Sequence, residues 1–361
     1  MQRRPFILSS LCGLLMNQTT AGGFADGKDR LAAAAEILER SVKGGQVRAA
    51  VIVARVGENR IERAYGSAEL ASAFLLGSIS KPICMTALMS LFDQGVFQLT
   101  DPVQKYLPEF KGDGRERVTV QHLLTHVSGL PDQLPNNAEL RKGHASLSAF
   151  VEAAVQVPLG FEPGTQYEYS SMAILLAAEI AQRLSGINFL KLVDEKVFQP
   201  LGMKHSAIGV GRLGIEATVP VQTGRAAIEA GGGDPTAKLW DWNSRYWREL
   251  GAPWGGVHAS ASDVAKFLDA FVHINDQFLS AATAKLMIRN HNPSSLVPRG
   301  LGFALGPLIS KNCHATAFGH TGSTGTIAFL DTSRDTSCVV LTSLPGQALR
   351  PHPRELAGEC L

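Results

Sequence analysis

The stretch Leu75–Leu88, "LLGSISKPICMTAL", decides the reading of this chain. Two hydroxyl residues, Ser78 and Ser80, precede an apolar run, and Lys81 follows the second directly. Cys84, Leu88, Leu91 and Phe92 recur at i, i+4, i+7 and i+8, the spacing of one helical face. Pro82 fits a first turn and Gly95 a stop, so the helix starts near the Ser-Lys pair. Residues three apart share a helical face, which lets Lys81 aim its amine at the Ser78 hydroxyl. A serine needs such a base to become a nucleophile. Burial and neighbouring cations lower a lysine pKa, and a helix N-terminus favours an anion at Ser78. By itself Ser-x-x-Lys equally describes a capped helix with a solvated lysine, so other segments must support the chemistry.

Outward from that helix the chain divides clearly. "DRLAAAAEILERSVKGG" (Asp29–Gly45) predicts a helix ended by glycine, with Lys28, Arg30, Glu36 and Glu39 on its solvated side. "VRAAVIVARVGENRIERAYG" (Val47–Gly66) predicts two strands around a turn at Gly57-Glu58-Asn59. The middle, roughly 118–203, reads as mostly helical. "PWGGVHASASDVAKFLDAF" (Pro253–Phe271) gives a glycine turn and a helix from about Ser260. "AFGHTG", "GTIAFLD" and "SCVVLTSL" then form an antiparallel meander, and "PRELAGECL" a closing helix. Strands at both ends and helices between imply an α+β fold: one antiparallel sheet built from both termini, flanked by helices, with a helical subdomain inserted. The 361 residues, 45% hydrophobic and 18% charged, are enough for one large core. A net charge of +2 with no dense basic run excludes a nucleic-acid partner.

The first residues read as an address. Arg3 and Arg4 precede "FILSSLCGLLM" (Phe6–Met16), then polar residues and Ala21, Gly22 and Gly23. That pattern makes residues 1–22 a signal peptide, and the arginine pair permits a twin-arginine signal. The mature protein is expected to be exported, periplasmic or extracellular. The apolar run is too short for a membrane span, and nothing later looks transmembrane. Cys12 leaves with the leader, whereas Cys84, Cys313, Cys338 and Cys360 remain and match no zinc pattern. Cys84 falls on the apolar helical face as a buried thiol, and a Cys313–Cys338 disulfide stays open.

Two further segments complete the pattern. "FGHTGSTG" (Phe318–Gly325) lies on an expected strand, and its His320-Thr321-Gly322 is an analogue of the K-T-G motif. "PGTQYEYSSMAILLAAEIAQRLSG" (Pro163–Gly186) opens a helix with a turn, Tyr169 and a hydroxyl pair. With "LTDPVQKYLPEF", "VQHLLTHVSGLP", "FQPLGMKHS" and "GAPWGGVHASASDVAKFL", the chain resembles the serine β-lactamase-related family. That family includes class C β-lactamases, D-alanyl-D-alanine carboxypeptidases, aminopeptidases and family VIII esterases. The resemblance covers most of the mature chain and implies a β-lactamase/transpeptidase-like fold. It implies one hydrolase domain over about 28–361, with a sheet subdomain (28–75 and 255–361) and a helical one (76–254). It also implies Ser78 as nucleophile, Lys81 as its base and Tyr169 as proton relay, its pKa lowered by nearby cations. The backbone N–H groups of Ser78 and Ser323 would form the oxyanion hole. His320, Thr321, Gly322 and Ser171 would line the substrate site. No cofactor and no metal is implied.

The departures from the family pattern matter. Tyr169-Ser170-Ser171 carries serine where asparagine is usual, and His320 stands where β-lactamases carry a permanently charged lysine. Both weaken a β-lactam reading and favour a carboxylic ester. The alternatives are a D-amino-acid peptidase or weak class C-like β-lactamase, and a non-catalytic binder of acyl or cell-wall ligands. The expected partner is a small-molecule ester, amide or peptide. "KLWDWNSRYWRELGAPWGG" (Lys238–Gly256) holds all four tryptophans, and Tyr246 and Trp247 are expected in an acyl-pocket wall. His122 and His126 are four apart but lack a glutamate partner and a third ligand, so they read as packing residues.

Overall fold

A computed structural model describes residues 26–273 and 278–361. The expected leader lies outside the described residues. Helix α1 (Gly27–Lys43) leads into strands β1 (Ala49–Val56) and β2 (Asn59–Gly66). The short strand β3 (Ala73–Leu75) runs through a tight turn into helix α2 (Ser80–Asp93). Helix α3 (Ser171–Ser185) follows several shorter helices, then strands β4 (Ser206–Ile208), β5 (Thr218–Val219) and β6 (Val257–Ala259). Helix α4 (Ala261–Asp269) precedes strands β7 (Ala304–Leu305), β8 (Phe318–Gly322), β9 (Thr326–Asp331) and β10 (Thr336–Thr342), and α5 (Pro353–Glu359) closes the chain.

The main sheet has the order β2-β1-β10-β9-β8-β7, with every pairing antiparallel. Both ends of the chain therefore meet in it, β1 beside β10. Alternation along β1 shows how it is held. Val51 and Val53 point to the main core beneath the helical region. Ile52 and Ala54 point the other way, to Leu31, Ala34 and Leu38 of α1 and Ala357 of α5. Valine-rich β10 divides likewise: Val339 and Leu341 to one side, Cys338 and Val340 to the other. A strand buried on both faces carries no polar alternation, which explains its continuous apolar sequence.

Helix α2 differs from the one-faced helix that its spacing suggests. Every residue from Ser80 to Leu91 is buried. It packs against α3 and lies inside the molecule, so apolar and small polar residues occur all round it. The structure also holds a small second sheet, β4-β6-β3-β5, with β3 and β5 parallel. Its strands are only two or three residues long, too short to show alternation in sequence. This small sheet fixes the start of the Ser78 turn. The described cysteines, Cys84, Cys313, Cys338 and Cys360, are free thiols. Among the described residues no single helix is long and apolar enough to cross a membrane.

Candidate active site

Ser78 is displayed on a turn that the surrounding strands clamp. Leu76 N–H donates to the Val257 carbonyl at 2.9 Å, which ties the turn to β6. Gly77 takes φ +57°, a region that costs glycine nothing and other residues strain. A Cβ there would lie 2.9 Å from Thr324 Oγ1 and 3.1 Å from the Ser323 backbone nitrogen. Glycine thus lets the Ser323 amide come up beside the nucleophile's turn. Thr324 and Thr326 fasten it there by donating to the Leu75 and Leu76 carbonyls at 2.6 and 2.7 Å.

Lys81 lies one helical turn on and is fully buried. Its Nζ is 3.1 Å from Ser78 Oγ and donates to the Trp254 carbonyl at 2.9 Å. The same nitrogen stands 4.7 Å from the centre of the Tyr169 ring. Burial brings the Lys81 pKa down to about 7, with Asp132 opposing the fall and Arg299 adding to it. Near neutral pH much of the population therefore holds a free amine that can accept the Ser78 proton.

Tyr169 lines the cleft, and its buried hydroxyl lies on the Ser78 side, close enough for Ser78 to act on its pKa. Burial pushes its pKa up, outweighing the lowering by Arg299 and Ser78. The expectation of a cation-lowered phenol is corrected: the cations are present, but desolvation of a phenolate wins. Tyr169 is a phenol, suited to donate a proton.

His320 is buried, with both ring nitrogens engaged. Arg299 Nη2 donates to its Nε2 at 3.2 Å, and its Nδ1–H donates to the Thr321 carbonyl at 2.6 Å. A guanidinium can only donate, so these contacts fix one neutral tautomer. Burial, then Arg299 and Lys81, hold the His320 pKa well below the usual histidine value. The His320-Thr321-Gly322 motif itself therefore presents no permanent cation. Arg299 supplies one behind the imidazole, 5.7 Å from the Tyr169 ring and closed to the cleft. Its charge is supported by the Tyr167 and Tyr169 phenols rather than by a carboxylate.

The cleft is small, about 150 Å³, and is lined by Ser78, Tyr169, Ser171, Ser323, Asp132 and Arg141, with Trp242, Trp247 and Trp254 as its apolar wall. Ser171 opens α3, and both its N–H and its hydroxyl donate to Asp132 Oδ1, at 2.9 and 2.6 Å. His320, Thr321 and Gly322 form β8 behind this lining rather than on it. Tyr246 stands apart from the cleft. Its hydroxyl donates to the Ala145 carbonyl at 2.9 Å, and its ring stacks on His144 at 4.7 Å. The expectation that it touches substrate is corrected: the turn of helix that aims Trp247 inward aims its neighbour Tyr246 away.

The paired histidines are structural. His122 Nδ1 accepts the Thr119 N–H at 3.3 Å in a helix cap. His126 Nδ1 accepts the Ser170 N–H at 3.2 Å, and its ring lies 4.6 Å from that of Tyr169. Among the described residues no group of three or more His, Cys, Asp or Glu is arranged to hold a metal.

Residues 33–358 match the family model described as Beta-lactamase. The chain belongs to the beta-lactamase family. It is a serine hydrolase. Esterase EstB of Burkholderia gladioli is 29% identical over 350 residues, covering 82% of this chain and 86% of that protein. A provisionally assigned D-alanyl-D-alanine carboxypeptidase of Salmonella agona is 24% identical over 294 residues, covering 72% of this chain and 66% of that one. A penicillin-binding protein homologue from Caulobacter crescentus has the same fold, with a TM-score of 0.75 at 22% identity, covering 94% of this chain and 98% of that one.

Against the beta-lactamase family pattern, two residues of this site escaped the sequence reading. Arg299 lies in a loop, 21 positions before His320, and no local spacing marks it. Asp132 ends the landmark "HVSGLPD", where a turn aspartate draws no attention. The only signal for either was a charged residue bordering an otherwise apolar or small-residue segment.

Proposed function

We propose that this serine hydrolase cleaves a carboxylic ester through an acyl-enzyme on Ser78. The observation that carries the reading is the 3.1 Å contact between Ser78 Oγ and a fully buried Lys81 amine. The neutral amine takes the hydroxyl proton as Oγ bonds to the carbonyl carbon. Negative charge on the carbonyl oxygen is met by the Ser78 and Ser323 amides, donors typically worth about 3 kcal/mol each. The intermediate collapses, the ester C–O bond breaks, and the Tyr169 phenol hands its proton to the departing alkoxide. Lys81 returns a proton to Tyr169. Water then attacks the acyl carbon, gives its proton to the free amine, and releases the acid and the Ser78 hydroxyl.

An ester suits this site better than a β-lactam. Among the described residues no lysine lines the cleft where a β-lactam carboxylate would be received, and the Ser171 hydroxyl is committed to Asp132. The name of the relative EstB points the same way.

The test uses the purified protein with a fluorophosphonate, p-nitrophenyl butyrate, nitrocefin and a D-Ala-D-Ala peptide. The expected result is covalent mass on Ser78, release of p-nitrophenol, and loss of both in Ser78→Ala. Turnover of the peptide alone would replace the esterase with a peptidase. No label and no turnover would leave a binding protein.

We also infer export, from Arg3, Arg4 and the apolar run Phe6–Met16. Protein recovered from the periplasm or medium should begin close to Gly22. A chain found only in the cytoplasm with Met1 intact would end that inference.

A further inference from the structure

Asp132 brings a carboxylate into the catalytic cleft, half-buried and open to it. Its Oδ1 accepts both hydrogen bonds from Ser171, and its Oδ2 makes none among the described residues. One oxygen is thus anchored and the other is free to receive a ligand. The Ser171 proton is spent on this anchor. At the place where an asparagine amide would donate to a substrate carbonyl, this chain presents an acceptor, so the local polarity is inverted.

The surrounding groups add to the same preference. Trp242, Trp247 and Trp254 share the lining, and indole faces attract cations. Of the cations nearby, Arg141 borders the cleft but is engaged by its neighbours, and Arg299 and Lys81 lie deeper. Arg141 is 3% exposed, packs 4.2 Å from the Trp247 ring and 5.2 Å from the Trp240 ring, and donates to the Trp240 carbonyl. Arg299 is sealed behind His320 and Tyr169, and Lys81 lies beneath Ser78. The other titratable groups packed around this site, His126, Tyr167, Tyr169 and His320, are held neutral by burial. Asp132 is therefore the carboxylate, among the described residues, that an entering acyl group meets in this lining.

We propose that Asp132, with the indole wall beside it, is a cation subsite, and that the preferred substrates are esters whose small acyl group bears an ammonium next to the carbonyl. The proposal rests on Ser78 being the nucleophile. The free Oδ2 accepts the ammonium N–H, a charge-assisted bond. That contact fixes the carbonyl over Ser78 and leaves the atoms exchanged in acyl transfer unchanged. A cleft of about 150 Å³ limits the acyl group to a few heavy atoms.

The experiment compares ethyl alaninate, each hand separately, with ethyl isobutyrate at pH 7. The two esters have the same shape and differ by an ammonium in place of a methyl. Their intrinsic reactivities differ, so the quantity read is the change in their kcat/KM ratio between proteins. In Asp132→Asn, kcat/KM for the alaninate should fall at least about tenfold, with isobutyrate altered less than about threefold. Ser171→Ala keeps the carboxylate and should keep most of the preference. An unchanged ratio, or equal loss on both esters, overturns the subsite. Should Asp132→Asn not fold, the wild-type protein decides. Isopropylammonium should inhibit isobutyrate turnover at about tenfold lower concentration than isopropanol, and equal inhibition overturns the proposal. Turnover of both esters, with the alaninate as independent of Asp132 as the isobutyrate, removes the cation subsite alone. Absence of turnover and of fluorophosphonate labelling removes the Ser78 reading itself, and the subsite with it.

Discussion

Arg299 Nη2 stands 3.2 Å from His320 Nε2, and the pair forms the wall behind Tyr169. The imidazole is held neutral, so the guanidinium is the permanent positive charge on this side of the site. It adds to the effect of burial in keeping the Lys81 amine free of its proton. A buried guanidinium supported by phenols instead of a carboxylate is costly to keep, which argues for an electrostatic task rather than a structural one.

The task predicts a movement in the pH profile. kcat/KM for an ester should rise through an acid limb centred at about pH 7, as Lys81 loses its proton. Removing the charge in Arg299→Met lets Lys81 keep its proton to higher pH, so the limb should move up by roughly half to one pH unit. Arg299→Lys should restore much of it. A purely structural arginine would lower the plateau and leave the limb in place.

Lys81 also makes a prediction about stability. Its folded pKa of about 7 lies below the ordinary lysine value of 10.5. Below pH 7 the folded state must bury a charged amine, so the cost is present in full. The cost shrinks as pH rises and is gone above the unfolded pKa. Lys81→Met should therefore raise stability at neutral pH, by up to about 5 kcal/mol from the size of the shift. The gain should fade toward pH 10, while activity drops about a thousandfold. Thermal melts at pH 7 and pH 10 check it, and a destabilised variant at pH 7 would contradict the account of a strained base.

How these groups could be seen in advance varied with their distance along the chain. Ser78 and Lys81 share one helical turn, so spacing alone placed them together. The two halves of the main sheet were legible because β1 and β10 are long apolar runs at opposite ends. Tyr169 was placed through its motif, but its pKa depends on burial, which a sequence does not display. Asp132 and Arg299 act through tertiary contacts with Ser171 and His320, 39 and 21 positions away. The small sheet is likewise made of strands that only their partners define.

Gly77 and Gly95 separate backbone strain from site geometry. Both have positive φ, +57° and +74°. A Cβ on Gly95 meets nothing within 4 Å, whereas one on Gly77 meets Thr324 and the Ser323 amide. Gly95→Ala should cost roughly 1 kcal/mol of stability and leave activity alone. Gly77→Ala should cost more and reduce kcat at least about a hundredfold, because it pushes apart the two amides meant for the oxyanion. Equal activity in the two variants, measured by chemical denaturation and ester turnover, would show that the amides are not used.

Tyr169 can be tested through the leaving group. A buried phenol with a raised pKa holds its proton until an alkoxide of greater basicity departs. Ethoxide needs that proton in order to leave, whereas p-nitrophenolate is stable without it. Tyr169→Phe should therefore lower turnover of an ethyl ester by about a hundredfold, and acylation by the corresponding p-nitrophenyl ester by less than about tenfold. Acylation should be read from the pre-steady-state burst, because deacylation is common to both esters and would mask the difference. The two losses separate if the phenol serves the departing oxygen. Equal losses would show that Tyr169 serves the attack by Ser78 instead, through its contact with the Lys81 amine 4.7 Å from its ring.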